Sequence, residues 1–65
     1  MNLYLLEEKI KKSSYTTEEL ASMLDISRTM FWRYRKGQAQ MNFDTAVQLA
    51  KLLNIEITDL IEKEV

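Results

Sequence analysis

Cysteine, histidine and proline are absent from this 65-residue chain, and glycine occurs once, at Gly37. Without cysteine no disulfide can staple the fold, and without cysteine or histidine the common zinc ligand sets cannot be assembled. Without histidine the commonest general base is missing, and no carboxylate pair sits among polar residues at a catalytic spacing. The composition therefore predicts no enzyme, no metal, no cofactor and no small-molecule ligand. No apolar run approaches the roughly 18 residues of a membrane span. The start MNLYLLEEKI carries acids where an export signal needs a basic start and a longer apolar core. A cytoplasmic location is expected.

What remains suits a small folded domain. Hydrophobic residues make up 46% of the chain, too many for disorder. A chain of this length makes one domain, residues 1–65, that buries only about 60% of its unfolded surface. Its stability must come from well-formed helix packing and self-association. The start at Met1 and the polar finish at Glu64 and Val65 favour a complete small protein over a fragment.

The net charge of −1 speaks against a nucleic-acid partner until its distribution is read. Between Ile26 and Phe43 stand Arg28, Arg33, Arg35 and Lys36 with no acid, whereas the tail from Glu56 to Val65 sets Glu56, Asp59, Glu62 and Glu64 against Lys63 alone. Salt limits each charge's field to about 10 Å, so a basic patch attracts phosphate even on a net-acidic protein.

Periodicity predicts five short helices and no strand, an all-α class. The first runs from about Leu3 to Lys12, with Leu3, Leu6 and Ile10 on one face, Leu5 beside them, and Glu7–Lys11 and Glu8–Lys12 spaced as favourable pairs. Lys9, Lys11 and Lys12 read as complements of the helix dipole. After a turn at Ser13 to Tyr15, Thr16 and Glu19 form a capping-box pattern that opens a second helix with Leu20, Ala21 and Leu24 inward. Ser27 caps a third helix, Arg28 to Lys36, which Gly37 ends. Asn42 or Asp44 starts a fourth with Ala46, Leu49, Ala50 and Leu53 on one face, and Asn54 closes it. A fifth covers about Ile57 to Lys63.

Two helices joined by a tight turn, residues 16–36, have the helix-turn-helix pattern. Ala21 is small enough for a close helix crossing, Asp25 must accept the turn's positive φ, and Ile26 plugs the space beneath. In the third helix Met30, Phe31 and Tyr34 point inward. Arg28, Thr29, Trp32, Arg33 and Lys36 then form the outward stripe. Arginine suits guanine O6 and N7, threonine a thymine edge, and lysine a phosphate. Trp32 either folds down over the second or fourth helix or contacts DNA, and the second reading is preferred. Met23 and Met41 read as core or interface filling.

These residues resemble the phage lambda and 434 repressor and Cro-type (XRE-like) helix-turn-helix family. The likeness rests on Thr16 to Ala21, Leu24 to Arg28, Lys36-Gly37, Leu49 to Ile55 and Asp59-Leu60, and covers about Leu3 to Ile61. It implies a compact five-helix bundle of the lambda-repressor type. It also implies a transcriptional regulator of phage or mobile-element kind, homodimeric at least on DNA and bound to a partly palindromic double-stranded operator in the nucleoid. By position, Arg28, Thr29, Trp32 and Arg33 would read bases, while Thr17, Ser27, Lys36, Gln38, Gln40 and Asn42 would contact the DNA backbone. Ile55, Ile57 and Ile61 exceed what so small a core can hide and are the expected dimer face. The chain departs from the family at four places. Thr17 replaces a phosphate-contacting glutamine, Asp25 a turn glycine and Met41 a proline. Arg35 stands where an acid is common, which predicts that a buried ion pair with the first helix is lost. The rival function is a protein-interaction module of the same fold, such as an antitoxin or partner-binding regulator.

Overall fold

A helix begins where its first backbone N–H groups find acceptors, and four side chains do this here. Asn2 Oδ1 accepts from Leu5 N–H at 3.0 Å, Ser27 Oγ from Met30 N–H at 3.0 Å, and Asn42 Oδ1 from Thr45 N–H at 2.8 Å. Thr16 and Glu19 form the full capping box: Thr16 N–H donates to Glu19 Oε1 at 2.8 Å and Glu19 N–H to Thr16 Oγ1 at 3.1 Å. The computed structural model describes residues 1–61. Among them these caps open α1 (Leu3–Lys12), α2 (Thr17–Met23), α3 (Arg28–Arg35) and α4 (Phe43–Leu53), and an uncapped single turn, α5 (Ile57–Leu60), follows. No strand is present among the described residues.

Three helices end by one device. Asp25, Gly37 and Asn54 take φ of 58°, 76° and 57°. At each, two N–H groups turn back onto orphan carbonyls: Ile26 to Ala21 at 3.0 Å, Gln38 to Arg33 at 2.8 Å and Ile55 to Ala50 at 2.8 Å, each beside a longer bond spanning three residues, Asp25 to Ser22 at 3.1 Å, Gly37 to Tyr34 at 3.2 Å and Asn54 to Lys51 at 3.3 Å. Gly37 bears a second constraint, since a Cβ there would meet Leu3 Cδ1 at 3.1 Å. Asp25 adopts the left-handed conformation without glycine's freedom.

The core follows from the periodic faces. Leu6, Ile10, Leu20, Ala21, Leu24, Phe31, Leu49, Ala50, Leu53 and Leu60 form one buried cluster, with Ile26, Met41, Ile55 and Ile57 packed at its edge. Each large apolar side chain buried in this way contributes about 1.5–3 kcal/mol. Phe31 alone of the three inward residues of α3 is fully buried, and Met30 and Tyr34 are half-buried.

Two local expectations change. Glu7 does not turn to Lys11, because its carboxylate is taken by Arg35. The fifth helix, expected over about Ile57 to Lys63, ends at Leu60, and Lys63 lies outside the described residues. Leu60's carbonyl accepts the Asn2 N–H at 2.7 Å, fastening the end of α5 to the start of α1, and Ile61 is already extended.

Candidate nucleic-acid interface

The α2–α3 unit is held from both sides. Ala21 is 1% exposed at the crossing, and the Asp25 turn together with the Ser27 cap fixes where α3 starts. With Phe31 anchored at 1% exposure, helical geometry sends the opposite face into solvent. Arg28, Thr29, Trp32, Arg33 and Lys36 are all exposed, as the spacing predicted. Trp32 keeps 45% of its surface in water. It edges a shallow cleft of about 350 Å³ shared with Thr17, Glu18, Arg28, Thr29 and Arg35.

The charges on α3 divide into three kinds. Arg35 lies off the outward stripe: Nε donates to Glu7 Oε1 at 2.8 Å and Nη2 to Oε2 at 3.3 Å, and the guanidinium carbon lies 5.9 Å from the Phe31 ring centroid. The ion pair between α3 and α1 is therefore present, contrary to the expectation drawn from Arg35. The acid is supplied by α1 and the base by α3, so the attraction survives. The hydrogen bond from Arg35 holds the Glu7 carboxyl below its usual range against the opposing effect of partial burial, and the fields of Arg35, Lys36 and Lys11 deepen the shift. Arg28 is also paired, Nη1 to Glu18 Oε1 at 2.7 Å, but both side chains are mostly exposed, at 74% and 67%. Neither Arg33 nor Lys36 has a carboxylate within 4.0 Å among the described residues.

The residues expected to contact the DNA backbone flank α3 in sequence. Gln38 and Gln40 are exposed in the loop after α3, and Thr17 is half-buried in the first turn of α2. Ser27 and Asn42 use their oxygens as caps, which leaves the serine O–H and the asparagine amide hydrogens free to donate. Glu18 is the residue that sequence reading passed over. Its neighbour Glu19 carries the capping-box pattern and fills that role.

Ile55, Ile57 and Ile61 are each half-buried, so the core takes in part of what was expected to be surplus. Ile61 borders an open groove of about 460 Å³ with Met1, Leu3, Tyr34, Met41 and Phe43. Among the described residues no group of three metal-ligating side chains occurs, and no helix is long and apolar enough to cross a membrane.

A helical bundle whose second and third helices meet through a tight left-handed turn, with the third presenting its polar face to solvent, is a helix-turn-helix domain. Residues 6–64 match the Cro/C1-type HTH DNA-binding domain, and the chain belongs to that family. It is similar to a protein of Pyrococcus furiosus provisionally named an HTH-type transcriptional regulatory protein, with 39% identity over 49 residues, 75% of this chain and 16% of that protein. A protein of Thermococcus kodakarensis with the same provisional name is 31% identical over 62 residues, 95% of this chain and 20% of its own length. The chain thus spans a fifth or less of these curated relatives. No solved structure matches it significantly. Fold and family together define a DNA-binding type of domain of the kind found in transcriptional regulators.

Proposed function

We propose that this domain is a sequence-specific transcriptional regulator that sets α3 into the major groove of duplex DNA. The supporting observation is the outward face of α3, where Arg28, Thr29, Trp32, Arg33 and Lys36 are exposed together behind a buried Phe31. Arg33 is the principal base reader, having a guanidinium with no protein partner among the described residues. Arg28 and Thr29, at the start of the helix, read neighbouring base edges, and Trp32 packs on a thymine methyl or sugar beside them. Lys36 and the donors of Thr17, Ser27, Gln38, Gln40 and Asn42 take the phosphates on either side.

Action as a dimer on a partly palindromic operator fits the size of the domain. It measures 33 × 22 × 19 Å, so two copies side by side on one face of the duplex can place their α3 helices one turn apart, roughly 34 Å. Ile61 and its apolar neighbours in the groove, with Ile55 and Ile57 next to them, are the proposed contact between copies.

Selection of bound sites from a random duplex pool tests this reading. The expected result is a short enriched motif repeated with dyad symmetry, whose affinity falls steeply with salt. Absence of any enriched duplex sequence overturns it. The half-exposed Trp32 and the pairing of two of the four cations between residues 28 and 36 favour one rival, a protein-binding module of the same fold. Co-purification with a partner in the absence of DNA would support that rival.

A further inference from the structure

Among the described residues, Glu18 is the one acid that contacts a charge on the outward face of α3, that of Arg28. Glu19, its neighbour, spends its carboxylate on the Thr16 N–H, and Asp25, in the turn, accepts no hydrogen bond from Arg28. Glu18 stands in the first turn of α2 and Arg28 in the first turn of α3. Both turns are fixed by side-chain caps, at Thr16 and Ser27. The two backbones therefore present these side chains to one another from set positions, and the 2.7 Å contact joins them across the helix-turn-helix.

A carboxylate on a surface that meets phosphate is repelled and lowers affinity for every duplex. It also removes conformational freedom from a long arginine that is otherwise 74% exposed. The contact occupies only Nη1, so the guanidinium retains donors for a planar two-point contact.

Resting on the DNA-reading function proposed above, we infer that Glu18 is a specificity-determining positioning residue: it braces the Arg28 guanidinium for a base edge and keeps it from settling on phosphate. Glu18 thereby trades affinity for all DNA against discrimination at the one base pair that Arg28 reads.

The test compares base preferences, measured position by position on the selected duplex, for the full chain and for Glu18→Ala, Glu18→Gln, Arg28→Ala and Glu18→Ala/Arg28→Ala. A two-point arginine–guanine contact discriminates by roughly 5- to 150-fold. Glu18→Ala should cut that ratio about 3- to 10-fold at the base pair lost in Arg28→Ala and at no other. Affinity for random duplex should rise about 2- to 5-fold. Glu18→Gln, which keeps an acceptor without the charge, should fall between. In the Arg28→Ala background, removing Glu18 should change no preference. A uniform rise in affinity with every preference intact would make Glu18 a solvated helix acid and overturn the proposal. A change at a different base pair would overturn it too, since Glu18 would then be reading a base itself. If the unsubstituted chain selects no sequence, the DNA-reading function fails first and is recognised by that result alone.

Discussion

The two ends of α3 carry the same chemistry in different surroundings. At its C-terminal end Arg35 grips Glu7 with two hydrogen bonds and lies over Phe31, with side-chain exposures of 18% and 32%. At its N-terminal end Arg28 touches Glu18 through one bond, and both remain mostly in water. Partial burial makes the first pair part of the fold, because breaking it strands a half-desolvated carboxylate. Water around the second makes it worth little in the free protein, and for that reason available to a ligand. Sequence shows four basic residues between 28 and 36, whereas the fold sorts them into an anchor, a braced side chain and two cations without a carboxylate partner among the described residues.

The comparison can be broken from the anchored end first. Arg35→Ala should lower unfolding stability by about 2 kcal/mol, combining lost charged hydrogen bonds and the contact with the ring, discounted for Glu7's residual exposure. Urea titration measures it, and a loss no larger than that of Arg28→Ala would erase the distinction. Glu7→Gln should cost less, about 1 kcal/mol at neutral pH, and should alter the acid limb. A carboxyl held below its usual range stabilises the fold above its unfolded-state value, and that contribution is lost as pH falls through the depressed folded value. The unsubstituted chain should therefore lose part of its stability on acidification through and below the ordinary carboxylate range. Glu7→Gln should lose less over the same window, and parallel curves would refute the assignment.

At the other end, Asp25→Gly should raise stability by about 0.5–1 kcal/mol by relieving the left-handed turn that sets α2 against α3. A drop would mean that the aspartate makes a compensating contact. Arg28→Ala should be the smallest change, under about 1 kcal/mol in stability, while changing DNA preference markedly. Thermal unfolding and binding measured on the same samples separate the two effects.

Much of this was legible in the sequence because the signals are local. Thr16 with Glu19, Ser27 and Asn42 stand immediately before helix starts, and Gly37 and Asn54 mark helix ends. The outward stripe of α3 followed from its 3.6-residue period once Phe31 was placed inside. What sequence could not give were the partners of the charges. Glu7 and Arg35 lie 28 residues apart, so local spacing assigned Glu7 to Lys11, while the departure of Arg35 from the family pattern predicted the loss of an ion pair that α1 and α3 in fact make. Glu18 was hidden in the same way, since its partner lies across a turn and its neighbour carries the familiar capping pattern. The end of α5 at Leu60 coincides with a backbone bond between residues 2 and 60, which no local window contains.

The reading role of α3's outward face is tested most directly by Arg33→Ala, with affinity measured on the selected duplex and on a scrambled one at the same salt concentration. Loss of a base contact should weaken the selected site by roughly 5- to 150-fold and the scrambled duplex by no more than about 3-fold. Equal losses on both, or none on either, would contradict it.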